Sequence, residues 1–246
     1  MLINRVIAGL TVRQLLARKR WLMVTLLAAL PIIMALLFRL YNVDDDALTF
    51  VVSMLSDLVL TVCVPVIALV LASAGLGAEV DDGTVVYLLT KPIARTAIVT
   101  TKILVIAGVT ALLNVVSVVL AGAIALNGLD ATHLVIGFAA GAALGSALYA
   151  ALFLTLGLLT RRGMLIGLTY LVVWEGTLSG LFSGTRTLSI RQYMLSTAAA
   201  ISHASTKVFS APLPSDRAWI MSGVIAVLCV GYSIQRLRSF EVGQAG

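Results

Sequence analysis

Six long apolar runs constrain the fold of this chain more than any other feature of its sequence. A helix needs about 20 apolar residues to cross the hydrocarbon core of a bilayer. Backbone in lipid must satisfy its own hydrogen bonds, which leaves helices or closed barrels, and continuous apolar runs without alternation exclude the barrel. We therefore predict an all-α integral membrane protein, a single transmembrane domain of six helices. The predicted spans are residues 21–40, 50–76, 97–126, 133–159, 164–182 and 218–234.

Composition supports this class and argues against others. The chain is 60% hydrophobic and 11% charged, with a mean hydropathy of +1.07, which is more apolar surface than a soluble core can bury. Its net charge of +6 comes from cations that flank apolar runs, so we expect no nucleic-acid partner. Cys63 and Cys229 lie inside apolar runs, and His133 and His203 have no companions at ligand spacing. We expect no disulfide framework and no metal site.

The lysines and arginines predict the orientation, because cytoplasmic flanks of membrane helices are enriched in them. With the N-terminus inside, twelve cations fall on the cytoplasmic side and five on the outer side. We therefore expect both termini in the cytoplasm, and no cleavable signal peptide, because the first run is too long for one. The inner set is Arg5, Arg13, Arg18, Lys19, Arg20, Lys91, Arg95, Lys102, Arg161, Arg162, Arg236 and Arg238, and the outer set is Arg39, Arg186, Arg191, Lys207 and Arg217.

Two segments outside the spans carry helical patterns of their own. Residues 1–20 predict an amphipathic helix on the cytoplasmic leaflet, or alternatively an extension of the first span. Residues 183–217 form a long outer segment whose middle is too polar to span, so we predict one or two re-entrant or capping helices there. The apolar face of the N-terminal helix comprises Leu2, Ile3, Val6, Ile7, Leu10 and Leu16, with Arg5, Arg13, Gln14 and Arg18 away from it.

The connector between the second and third runs, residues 79–95, is unusually specific in composition. Asp81 and Asp82 precede a glycine and a threonine, an arrangement typical of a turn and a helix start. Apolar residues including Leu88 and Leu89 follow, and Pro92 ends the helix. We predict a short cytoplasmic helix whose apolar edge fits a groove on another protein. The alternative is a loop whose cations only fix the topology.

Two carboxylates lie inside predicted spans, Asp57 in the second and Glu175 in the fifth. Ionisable groups at this depth usually face protein or water, so both are candidates for the translocation path. Alternatively, each pairs with a cation or hydroxyl and fixes helix packing. In the fourth span, Gly137, Gly141 and Gly145 recur every four residues, which predicts the close approach of another helix, most simply from the same chain.

The connector resembles the signature of the ABC-2 type ABC-transporter permeases. The stretch WEGTLSGLFSGTRTLSIRQY, residues 174–193, is similar to one branch of the same family. This resemblance implies that the connector is a coupling helix that docks on a separate ATP-binding cassette subunit. It also implies an exporter in the cytoplasmic (inner) membrane of a prokaryote, built from two permease chains as a homodimer or with a paralogue, with spans one, two and five around the path. The implied coupling residues are Glu79, Asp81, Asp82, Gly83, Thr84, Leu88, Leu89, Lys91, Pro92 and Arg95.

The sequence contains no G-x-x-x-x-G-K-[ST] phosphate loop. We therefore expect a chain that is not an enzyme and holds no cofactor, with ATP and Mg²⁺ bound by the partner subunit. The alternatives are a secondary transporter and a membrane-embedded enzyme or scaffold without an ATPase. A secondary transporter typically has internal repeats, and an enzyme needs converging polar groups. Neither pattern is evident in the sequence, and neither explains the connector.

Overall fold

Every regular element that the structure describes is a helix, which confirms the predicted all-α class. The computed structural model describes residues 5–15, 18–41, 46–77, 95–127, 131–160, 162–178, 185–202, 209, 211 and 213–239. We number the helices α1 to α8 in chain order. Two of them, α3 and α6, combine α-helical and π-helical segments.

The bounds of the helices are as follows. α1 is Arg5–Leu15 and α2 is Arg18–Leu40; α3 joins Ala47–Ser53 (α), Met54–Cys63 (π), Val64–Ala72 (α) and Ser73–Gly77 (π); α4 is Arg95–Ala125 and α5 is Thr132–Leu159; α6 joins Gly163–Thr169 (α) and Tyr170–Leu178 (π); a 3₁₀ turn is Thr185–Leu188; α7 is Ile190–Ser202 and α8 is Ser215–Ser239.

Five helices of the described ranges are long and apolar enough to cross a membrane: α2, α3, α4, α5 and α8. The fifth predicted span, residues 164–182, is described only as far as residue 178 in α6. The count of six spans therefore stays a prediction, and the multi-pass membrane class is established.

The bundle has α3 and α5 at its centre and α2 and α8 at its periphery. Two thirds of the most apolar stretch of α3 and of α5 is buried, against about one fifth of that of α2 and α8. On the two outer helices, large apolar side chains such as Leu26 (69% exposed) and Val227 (72% exposed) point away from the bundle. Such surfaces are not tolerated in water, and lipid covers them without cost.

Helix α7, which belongs to the predicted outer segment, packs against the three glycines of α5. A Cβ at Gly137 would lie 2.6 Å from the carbonyl oxygen of Ala198, and one at Gly141 would lie 2.6 Å from that of Met194. Gly145 faces the side chain of Met194. The predicted close approach of a helix from the same chain is confirmed, and α7 lies along α5 instead of on its outer end.

A backbone gap in α2 is filled by its neighbours. Pro31 has no N–H to donate to the carbonyl of Leu27, one turn earlier. The Cys63 thiol of α3 lies 3.6 Å from that oxygen, and the Ser117 hydroxyl of α4 donates to the Ala28 carbonyl at 2.6 Å. Freed backbone groups in a membrane need such partners. The proline therefore marks the level at which three spans are joined.

Helix α1 packs on the bundle through Ile7, Thr11 and Leu15, which are buried at four-residue spacing. It contacts α4 and the last turn of α3. Leu10, which belongs to the predicted apolar face, is 50% exposed and lies off the packed face. The position of α1 at the lipid surface remains a prediction.

The glycine contact predicts an asymmetry between two Gly→Ala variants. Gly141→Ala places a methyl group against a backbone oxygen of α7, which cannot move without shifting that helix, so we expect the free energy of unfolding to fall by about 1–3 kcal/mol. Thermal unfolding of the detergent-solubilised protein measures this loss.

Gly108→Ala is the matched control, because a Cβ there meets nothing within 4 Å. This variant should leave stability unchanged or raise it by up to about 1 kcal/mol through helix propensity. Equal thermal unfolding midpoints for the two variants would show that α7 is not in close contact with α5 at Gly141.

Candidate functional site

The connector itself lies almost entirely outside the described residues. Arg95 is the first residue of α4. The other nine predicted coupling residues, from Glu79 to Pro92, fall in the range 78–94, so the predicted coupling helix stays a prediction.

The two helices that flank the connector are joined at their bases by Lys102. This side chain is 2% exposed, and its Nζ donates to the carbonyl oxygen of Gly75 at 2.7 Å. The last carbonyls of a helix lack hydrogen-bond partners within the helix and lie at the negative end of the helix dipole. A lysine there therefore supplies both a donor and a favourable charge. The helices also pack closely, since a Cβ at Gly75 would lie 2.7 Å from Ile106. From the sequence, Lys102 is a cytoplasmic cation and the last residue of the pattern from Glu79 that resembles the permease signature, and its burial was not predicted.

Both intramembrane carboxylates lie on π-helical segments, Asp57 on Met54–Cys63 and Glu175 on Tyr170–Leu178. A π-helix brings residues five apart onto one face. The Tyr170 hydroxyl accordingly donates to Glu175 at 3.1 Å, and the Thr61 hydroxyl donates to the Ser56 carbonyl at 2.8 Å. Such segments are frequent at functional sites.

Glu175 is the centre of a buried polar cluster at the start of α7. It is 4% exposed, and the Ser189 hydroxyl donates to its Oε2 at 2.5 Å. The Ile190 backbone N–H donates to its Oε1 at 2.9 Å. The Tyr149 hydroxyl of α5 also interacts with this carboxylate. Glu175 therefore caps the first turn of α7 from another helix.

The depth of the cluster explains why an acid is needed there. Tyr149 lies about 15 Å along α5 from its end at Leu159, at about 1.5 Å of rise per residue. Helix α7 therefore begins beside the middle of α5, and its first N–H groups, which are buried there, need acceptors from the protein itself. Glu175 accepts the N–H of Ile190, and the Ser189 hydroxyl accepts that of Gln192 at 3.4 Å.

A second contact connects α7 to α3. Arg191 Nη2 lies 3.2 Å from Asp57 Oδ1, with the Asp57 side chain 71% exposed and the Arg191 side chain 26% exposed. Three consecutive residues, Ser189 to Arg191, thus bind the carboxylates of two predicted spans. Tyr193 completes the turn, because its hydroxyl donates to the Thr187 carbonyl.

These contacts correspond to the packing alternative for both acids, since Glu175 pairs with hydroxyls and Asp57 with a cation. Asp57 is the more accessible of the two. Sequence reasoning missed Ser189, Arg191 and Tyr149 as partners. The available signal was the stretch from Trp174 to Tyr193, which contains Glu175, Ser189 and Arg191 together.

The fold and this site define a class: a multi-pass membrane protein with ionisable groups buried between its helices, as in transporters. Comparison with protein families then gives a match to the sequence model described as "ABC-2 family transporter protein", over residues 15–175. The match covers more than half of the chain, including the whole connector and both intramembrane carboxylates. The chain belongs to the ABC-2 transporter family and is a permease of an ABC transporter. Comparison with curated proteins gives no match.

The capping role of Glu175 predicts a graded series of variants. Glu175→Ala leaves the Ile190 N–H and the Ser189 hydroxyl without their acceptor in a buried place, so stability should fall by about 1–3 kcal/mol or more. Glu175→Gln keeps one carbonyl oxygen and should lose less. Thermal unfolding, together with hydrogen exchange at the amide of Ile190, measures both effects.

Asp57→Asn is the comparison variant, because breaking an exposed ion pair costs about 0–1 kcal/mol. A loss in Asp57→Asn as large as that in Glu175→Ala would contradict the capping role. Impaired transport in Glu175→Gln at unchanged stability would instead assign Glu175 to the path.

Proposed function

We propose that this permease forms half of a translocation path, pairs with a second permease chain, and takes its energy from a separate ATP-binding subunit. The connector, residues 79–95, is the docking segment for that subunit. The direction of transport is export, by resemblance to other permeases with this connector signature. ATP and Mg²⁺ are bound by the partner, and the membrane is the inner membrane of a prokaryotic cell with both termini in the cytoplasm.

The observation that carries the path is the exposed ion pair of Asp57 and Arg191. Asp57 lies about 15 Å from the start of α3 at Ala47, so it is well inside a helix that is apolar enough to span a membrane. A carboxylate facing hydrocarbon at such a depth costs several kcal/mol. The exposed side of Asp57 therefore faces water in a path or the surface of a second permease chain.

The link from Lys102 to Gly75 supports the coupling role of the connector. Because the bases of α3 and α4 are joined there, a displacement of the connector acts on both helices together. Helix α1 contacts the same two elements. A secondary transporter has no need of a link between two helices beside a charged connector. It would also transport its substrate without nucleotide.

Aqueous access at Asp57 can be measured without knowledge of the substrate. In a background with Cys63→Ser, which keeps a donor beside the Leu27 carbonyl, and Cys229→Ala, Asp57→Cys should react with a charged, membrane-impermeant thiol reagent applied from the outer side. Leu112→Cys is the control, because Leu112 is 65% exposed on the apolar surface of α4. We expect labelling of Asp57→Cys at least about tenfold faster, since thiolates form only where water reaches them.

Equal and slow labelling of the two cysteines in the assembled transporter would place Asp57 against protein or lipid. In that case the path does not pass this ion pair.

The docking role of the connector predicts a loss of assembly on charge reversal. The double variant Glu79→Lys with Arg95→Glu should insert normally but co-purify about tenfold less of a phosphate-loop ATPase encoded beside it, because several interface charges then meet like charges. Pull-down from membranes, with the stimulated ATPase rate as a second readout, measures this.

Arg162→Glu is the matched control, a charge reversal at an exposed position between α5 and α6. Normal assembly and normal ATPase stimulation in the double variant would contradict the docking role of the connector. Nucleotide-independent transport by the chain alone would favour the secondary transporter.

A further inference from the structure

A groove between α2 and α3 has no role in the function proposed above. It encloses a cavity of about 300 Å³ that is open to the periphery of the bundle. This volume is at the lower end of the range for ligand pockets in proteins, about 300–1,000 Å³. The side chains that line it are all apolar, and those used below are Met23, Val24, Leu27 and Leu30 of α2 and Val66 and Val70 of α3.

The lining excludes water as the natural occupant. A water molecule needs two to four polar partners, and cavities lined only by aliphatic side chains stay dry. An unfilled groove would forfeit the dispersion contacts of its walls. At the open side, Met23 is 64% exposed and Leu26 is 69% exposed. The occupant is therefore an apolar chain that arrives from the surface of the bundle.

The depth of the groove matches one leaflet of a bilayer. Arg20 and Trp21 stand at the start of the apolar part of α2, where cations and tryptophans mark the headgroup level. Leu30 is about 15 Å further along the helix, which is half of a hydrocarbon core of about 30 Å. On α3, Val70 and Val66 lie about 10 and 16 Å from the end of the helix at Gly77.

The charge at the mouth of the groove selects among lipids. Arg20 is exposed and lies three residues before Met23 and seven before Leu27, so it shares their face of α2. Arg18 and Lys19 precede it in the sequence. Clusters of cations at the cytoplasmic end of a membrane helix bind anionic headgroups. A second copy of this chain is a poorer occupant, because its inner flank carries the same excess of cations.

We propose that this groove is a binding site for one anionic phospholipid of the inner leaflet, with an acyl chain between α2 and α3 and the phosphate at Arg20. The site is separate from the ion pair of Asp57, which lies nine residues before Val66 on α3. It also does not depend on the connector or on an ATPase, so it stands or falls independently of the proposed transport cycle.

The test uses the full chain in nanodiscs that contain equal amounts of phosphatidylglycerol and phosphatidylcholine, followed by native mass spectrometry of the released protein. The wild-type chain should retain phosphatidylglycerol. Leu27→Trp fills the groove and should lower this retention about tenfold, since each buried methylene of a lipid chain contributes substantially. Arg20→Gln should reduce the preference for phosphatidylglycerol about fivefold.

The controls are Leu112→Trp on the apolar surface of α4 and Arg162→Gln at an exposed turn, and both should retain lipid as the wild type does. Val70→Phe repeats the groove-filling test from the other wall if Leu27→Trp does not fold. Equal retention by the wild type and the groove-filling variants overturns the proposal. Loss of a dimer at unchanged lipid retention also overturns it, in favour of a second copy. An unchanged lipid preference in Arg20→Gln overturns the assignment of the headgroup.

Discussion

The structure depends on how the buried backbone N–H groups in the first turn of α7 are satisfied. A helix that starts at a membrane surface has water for its free donors, whereas α7 starts beside Tyr149, near the middle of α5. Glu175 accepts the Ile190 N–H, and the Gln192 N–H donates to both the backbone carbonyl and the hydroxyl of Ser189. The glycines of α5 then bring α7 into backbone contact. Without the carboxylate, the buried Ile190 N–H and Ser189 hydroxyl would lose their acceptor.

The same constraint accounts for the other irregular points of the bundle. At Pro31 the freed carbonyl of Leu27 meets the Cys63 thiol of another helix. At the end of α3, the Gly75 carbonyl receives Lys102. Both of these carbonyls are thus completed by a side chain from a neighbouring span. These points are also where helices are joined, so the irregular backbone and the connections between spans occur at the same places.

Much of the fold could be predicted because lipid imposes simple rules on sequence. Long apolar runs require helices, and small residues every four positions require a close neighbour, as Gly141 shows. The partners of the acids could not be predicted. Glu175 and Ser189 are fourteen residues apart, on a π-helical segment and just before α7, and no helical spacing in the sequence relates them. The burial of Lys102 could not be predicted either, because it arises only when α3 and α4 pack against each other.

Helix α3 connects the two ends of the proposed mechanism. Its last turn holds Gly75, which is bound by Lys102 beside the connector, and its N-terminal half holds Asp57, which pairs with Arg191 of α7. These two points are about 27 Å apart along one continuous helix. On the proposed coupling, a displacement of the connector therefore reaches the exposed ion pair through a single element. The π-helical segment that carries Asp57 is the longer of the two in α3, and it lies between the ion pair and the regular α-helical part, so it is well placed to absorb a change in register when that part moves.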